Sequence, residues 1–169
     1  MQPIAISLFP DEALLFAIAE HTIVLSTTPQ KKRKIIFHTA AYNTLEDEKI
    51  GNEAITQLTF EPGEIPINSF IGWAKITEIK EYNAQTFAID SGKHGHGTDI
   101  NKFLGEEDWQ GRNLYGYLLE EQHFLSLPVM GVGSEFIHGD IWEAQSPFHI
   151  VAMERALNGN SVDVVTVKF

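Results

Sequence analysis

The chain has 169 residues, 43% of them apolar and 21% charged, with no cysteine. That length and balance describe one domain able to bury its own core, and they exclude a disordered chain, a disulfide scaffold and thiolate chemistry. Twelve basic against 23 acidic side chains leave a net charge of −11, which excludes broad wrapping of duplex DNA, because that requires a basic surface.

Residues 3–8 carry a short apolar run that predicts a strand. Pro10 suits a first helical position, Asp11 and Glu12 complement the helix dipole, and apolar residues from Ala13 to Ile18 extend a buried helix over 10–20. Two strands follow, at 22–26 and 34–39, the second with an apolar centre that suggests burial on both faces. Thr44 caps a helix with a stripe of Leu45, Ile50, Ala54, Ile55 and Leu58, weakened in its middle by Gly51. Pro62-Gly63 forms a turn, and an extended strand of about ten residues starts after Asn68. Residues 83–111, rich in glycine and holding an acidic triplet (106–108), read as a long loop with at most one helical turn near Phe103. Strands are expected at 114–119, 124–129 and 137–143. Ser146 and Pro147 start a helix that Asn158-Gly159 stops, and residues 162–169 form a terminal strand with Val165, Val167 and Phe169 on one face. Strand, helix, several strands, helix and strand in that order point to an α+β fold.

Charge is uneven: residues 1–40 sum to +1 and the remainder to −12. The dense basic cluster is Lys31, Lys32, Arg33 and Lys34, where an anionic partner would touch. Taken alone it reads more simply as a solvated turn guarding an apolar strand. The start lacks a targeting pattern and the helical apolar stretch 13–19 is too short to span a bilayer, so a cytoplasmic location and no membrane partner are expected.

Chemistry-bearing motifs are sparse. His94-Gly95-His96, flanked by Asp90 and Asp99, has the donor types of a zinc site but reads more simply as a polar loop, so neither metal nor cofactor is expected. Ser134, in Gly-Val-Gly-Ser-Glu, lacks the trailing glycine of a nucleophile elbow, and no phosphate-cradling glycine loop occurs. Trp73, Tyr115, Tyr117 and Trp142 lie on or beside strands, where a ring either stacks on a base or fills the core. His38 and Thr39 end a buried strand, as a polar rim or as site residues.

In order, these segments resemble the ASCH domain of the PUA-like superfamily. The carriers are Ile6-Ser7-Leu8 before a helix and Ile35-Ile36-Phe37-His38-Thr39-Ala40. Ile65-Pro66 followed by Phe70 to Ile76, Leu114 to Glu120, Leu127 to Gly131, and Trp142 complete them. The likeness spans roughly residues 4–143 and leaves 144–169 outside it. It implies a PUA-like β-barrel with flanking helices, here with a C-terminal helix–strand extension, and hence two units, 1–143 and 144–169. It also implies a cleft between the first helix and the barrel for RNA or a nucleotide-like ligand. The family's G-x-K-x-x-E-x-R motif falls on residues 19–26, with Ala19 for Gly, His21 for Lys, Val24 for Glu and Ser26 for Arg. Related small hydrolases of acetylated cytidine use a lysine at the His21 position and a threonine three residues later, where Val24 has no hydroxyl.

The resemblance therefore implies a non-catalytic binding module for single-stranded RNA or a nucleotide-like ligand. Its cleft is expected to be lined by His21, Ser26, Thr27, His38, Thr39, Trp73 and Tyr117, with Lys31, Lys32, Arg33 and Lys34 steering the anion. Two alternatives are an amidohydrolase-like enzyme using His21 or His38 as base on an acylated nucleoside, and a protein-interaction scaffold with 144–169 as a homodimer edge.

Overall fold

The structure, a computed structural model, describes residues 1–106, 113–133, 135–159 and 161–162. Its elements are β1 (Ile4–Leu8), α1 (Pro10–Ala17), β2 (Ile23–Ser26), β3 (Lys34–Thr39), α2 (Leu45–Gln57), a 3₁₀ turn (Pro62–Glu64) and β4 (Phe70–Tyr82). They continue with α3 (Ala84–Ile89), α4 (Ser91–His94), α5 (Ile100–Glu106), β5 (Leu114–Val129), β6 (Ile141–Trp142), α6 (Pro147–Asn158) and β7 (Ser161–Val162). Ser134, the end of the acidic triplet, and Val165, Val167 and Phe169 of the expected last strand lie outside the described residues.

One sheet runs β2-β5-β4-β3-β1-β6, with β7 on β5; β1 and β3 are parallel and the other pairs antiparallel. Register shifts along β4 at Phe70/Gly72, Trp73/Lys75 and Ile76/Glu78 add twist and curl the sheet into a half-barrel. Alternation along the strands gives each face its own core. Inside, Ile4, Ile6, Leu8, Phe37, Ile71, Ala74 and Tyr117 pack on Leu14, Phe16 and Ala17 of α1. Outside, Ala5, Ile36, Phe70, Trp73 and Trp142 pack on Ala152, Met153 and Ala156 of α6. This is an α+β half-barrel with flanking helices.

Local physics explains the departures from expectation. Helix α1 stops at Ala17 because Ala19 takes φ 62, a left-handed backbone that turns the chain out of the helix and favours glycine. Gly72 lets α1 approach β4: a Cβ there would press on the His123 carbonyl and stand 2.9 Å from Ala17 Cβ. Gly51 is required in α2 because the Tyr42 ring occupies the space of a side chain. The segment expected as a loop holds three short helices. Asn83 caps the amides of Gln85 and Thr86 at 3.0 and 2.9 Å, and Thr86 Oγ1 accepts from Asn83 N at 3.0 Å, a reciprocal cap that starts α3. Phe87, Phe103 and Leu104 then join Ile23, Tyr82 and Leu114 in a third apolar cluster. The runs 114–119 and 124–129 form one strand, with Glu121 at φ 53 absorbing the bend. Of the strand expected at 137–143, Ile141–Trp142 forms; Gly139, at φ 93, sits in the turn before it.

Candidate functional site

A cavity of about 140 Å³ opens where α1, the barrel mouth and the α4–α5 segment meet. Its apolar wall comes from strand residues Ile6, Leu8, Val24, Leu25 and Leu114, with Phe16 from α1 and Phe103 from α5. Its polar groups are Glu12, Ser26, Thr27, His96 and His138. Glu12 and Phe16 are four apart on one helix, so they share a face one turn from each other. Glu12 Oε2 meets His138 Nε2 at 2.8 Å, both side chains about one-third exposed. The His138 ring is stacked on Phe9 at 4.2 Å between centroids. The Glu12 carboxylate has no other hydrogen bond among the described residues, and Glu12 lies in the first turn of α1. His96 stands 4.7 Å from the Phe103 ring. Loss of water around it pushes its pKa down, against the opposing pull of Glu12, so the imidazole is neutral near pH 7.

Of the residues expected in the cleft, Ser26 and Thr27 line this cavity. His21 does not: it lies under Gly95, where a Cβ would overlap its ring, and edge-on to Phe16 at 5.7 Å. Burial pushes its pKa below the ordinary value, so it is less of a cation than its sequence position suggests. His38 is completely buried on the outer face. The Val132 carbonyl can only accept, so His38 Nε2 donates to it at 2.9 Å and Nδ1 accepts from Ser7 Oγ at 2.8 Å. Ser7 Oγ in turn accepts from Trp142 Nε1 at 3.0 Å, and burial holds His38 neutral. Thr39 is also inaccessible, its hydroxyl donating to the Pro66 carbonyl at 2.6 Å and accepting from Ser69 N at 3.0 Å. Trp73 is 9% exposed, stacked on His123 at 4.1 Å with Lys34 Nζ 4.9 Å from its ring. Tyr117 points into the inner core, and its hydroxyl donates to the Thr28 carbonyl. It therefore reaches the cavity indirectly, by holding the segment that carries Ser26 and Thr27. Lys31, Lys32, Arg33 and Lys34 lie away from the cavity.

The His94–His96 motif is likewise structural at its first residue. His94 Nδ1 accepts from the His96 amide at 3.0 Å, so Nε2 carries the proton and donates to the Phe87 carbonyl at 2.8 Å. Asp90 binds Lys80 at 2.6 Å and Tyr82 at 2.7 Å, and Lys80 holds its carboxyl below the usual range. Asp99 caps the amides of Asn101 and Lys102 at 3.0 and 3.2 Å. Among the described residues no three metal-binding side chains converge.

Glu12, His96, Phe103 and His138 were not legible as a set. Glu12 and His138 are 126 positions apart, and Glu12 satisfies a helix-start pattern that explains it without a site. The i, i+4 spacing of Glu12 and Phe16 is the one local sign that a carboxylate shares the core-facing side of α1.

The half-barrel with flanking helices is a fold shared with ASCH domain structures. No family model matches the chain, and no curated protein matches it. Among solved structures it is similar to ASCH from Zymomonas mobilis, with a TM-score of 0.59 and 13% identity over 96% of this chain and 99% of that one. Two variants of the Zymomonas mobilis protein also match. The tyrosine-to-phenylalanine variant has a TM-score of 0.54 and 13% identity over 91% of this chain and 97% of its own. The serine-to-alanine variant has a TM-score of 0.54 and 11% identity over 90% and 94%. At these identities the likeness is one of fold. Among the residues set against the family motif, Ala19 keeps the backbone of a glycine, and Val24 and Ser26 face the cavity.

Proposed function

We propose that this chain is a non-catalytic binding domain that holds a nucleotide-like ligand by its base, in the cavity beside α1. The observation that carries this reading is the Glu12 carboxylate: one oxygen is bound by His138, the other takes no hydrogen bond among the described residues, and the residue lines a cavity walled by Phe16 and Phe103. An apolar cavity of about 150 Å³ admits a ring the size of benzene, whereas drug-sized ligands need about 300 Å³ or more. A heterocyclic base fits this space and a whole nucleotide does not. The carboxylate selects a ring edge that donates N–H groups, and the neutral His96 imidazole and the hydroxyls of Ser26 and Thr27 supply further partners. No lysine or arginine stands among the described lining residues, so a phosphate group stays outside. The ligand is a nucleoside or one base of a single-stranded RNA, read by its edge and by aromatic contact.

Backbone amide NMR tests this. Nucleosides, their 5′-monophosphates and a short single-stranded RNA are titrated in turn. Shifts centred on Ser26, Thr27, His96 and His138, with nucleosides binding at least as tightly as monophosphates, are expected. No cavity shift with any of them at millimolar concentration overturns the reading.

A hydrolytic role for His21 or His38 has no geometric support: His21 lies beneath Gly95 outside the cavity and both ring nitrogens of His38 are engaged.

A further inference from the structure

The basic cluster set apart from the cavity forms a groove of its own. Lys34 and Lys75 are paired across β3 and β4. Lys34 alternates with Ile36, and Lys75 with Trp73, both of which pack on the outer face, so these two lysines stand on that face. With Lys32 and Arg33 they line one open groove, bordered also by Pro3, Ile76, Thr77 and Leu157. The groove shares no lining residue with the cavity.

Arg33 distinguishes this groove from a solvated surface run. Its side chain is only 11% exposed, and its Nε is the one buried side-chain nitrogen or oxygen without a hydrogen-bond partner among the described residues. A buried donor of this kind is uncommon in folded proteins, and it leaves the guanidinium with donor capacity that the protein does not use internally. The acidic neighbours are few and exchangeable. Glu143 meets Arg33 Nη1 at 3.2 Å and Glu121 meets Lys75 at 2.7 Å, but the two carboxylates are 66% and 58% exposed. Exposed pairs of this kind are weak and give way to a better acceptor. Lys32 has no ion-pair partner among the described residues. The result is a sheltered guanidinium between three ammonium groups on a chain of net charge −11.

We propose that the groove of Lys32, Arg33, Lys34 and Lys75 is a phosphate-binding site, separate from the cavity. The planar guanidinium offers several N–H donors to phosphate oxygens, and the lysines add point charges around it. The phosphate comes from a single-stranded nucleic-acid backbone or from a free phosphate, and these two sources share the chemistry.

The test is carried out on the full chain with labelled oligouridylate by fluorescence anisotropy, and with inorganic pyrophosphate by calorimetry and as competitor. Binding of either probe is expected to weaken about tenfold in Lys32→Glu and in Arg33→Gln. For the oligouridylate, loss of one contact lowers the salt slope by about 0.7. Lys49→Glu, on α2 away from the groove, is expected to leave binding within about twofold, the size of a remote and screened charge effect. A melting curve separates an unfolded Arg33→Gln from a folded one, and Lys32→Glu alters only an exposed side chain. Oligouridylate binding that pyrophosphate does not displace identifies a strand, and pyrophosphate binding identifies free phosphate; both support the site. No affinity for either probe overturns it. So does an equal loss in Lys49→Glu, or a loss in Glu12→Gln that matches Lys32→Glu, since the ligand would then lie elsewhere. Failure of the cavity reading leaves this result unaffected.

Discussion

Two histidine sites on opposite faces of the sheet show where this molecule keeps unfinished chemistry. On the outer face His38 is enclosed in a chain from Trp142 Nε1 through Ser7 Oγ to the Val132 carbonyl, with both ring nitrogens committed. On the inner side His138 is held by Glu12 and Phe9 at the edge of a cavity, and Glu12 retains an oxygen without a hydrogen bond among the described residues. The first arrangement is closed and stabilises the fold. The second is open on one side and is suited to a ligand. A polar residue beside the core therefore marks a candidate site when some of its bonding capacity is left over.

Removing His38 should give the largest effect. His38→Ala deletes a buried ring and leaves the Val132 carbonyl and the Ser7 hydroxyl short of a partner, so a loss of about 3–4 kcal/mol is expected in urea denaturation. Ligand affinity in the cavity should not change in the folded fraction; a small stability loss would mean that the network is not closed.

Acidity should give the next effect. His38 and His94 are buried, and burial lowers both pKa values from 6.5. Each folded value lies below the unfolded one, so the unfolded chain binds more protons and stability is lost as pH falls below about 6.5, by at most about 1.4 kcal/mol per pH unit for each group. Melting temperature should be level above that pH and decline below it. A melting temperature that rises on acidification refutes the neutral assignment.

The cavity should respond in affinity rather than stability. Glu12→Gln keeps the shape and removes the charge, so nucleoside affinity should fall about tenfold, the scale of one hydrogen bond to a charged group. The fold should lose less than about 0.5 kcal/mol because the Glu12–His138 pair is partly exposed. Calorimetry and urea denaturation on the same variant measure both, and an unchanged affinity removes Glu12 from the site.

Ala19→Gly should give the smallest effect and is the one substitution expected to stabilise. Relief of a left-handed alanine outweighs the added freedom of glycine in the unfolded chain by about 0.5–1 kcal/mol. Destabilisation would mean that the Ala19 methyl contributes packing that outweighs the strain.

Much of the fold was legible because its signals are local. Pro10 with Asp11 and Glu12, Thr44, and Ser146-Pro147 mark helix starts through neighbouring amides, and the runs at 34–39 and 70–79 mark strands by composition. The helices at 84–89 and 91–94 were hidden: a six-residue and a four-residue helix have too few turns to show a period, and Asn83 with Thr86 was their one local sign. Trp73 and Tyr117 show the opposite error. An aromatic on a strand has the same appearance whether it stacks on a ligand or fills the core, and the side it faces is set by bulges in β4 and the curl of the sheet.

The amino-acid sequence determined the element order, the α+β class and the position of the basic cluster, because caps, turns and side-chain periods act over a few residues. The tertiary structure decided which polar groups were closed and which were left open. It joined Glu12 to His138 across 126 positions, enclosed His38 and sheltered Arg33. Desolvation and hydrogen-bond completion depend on residues brought together by folding, and no local pattern encodes those partners.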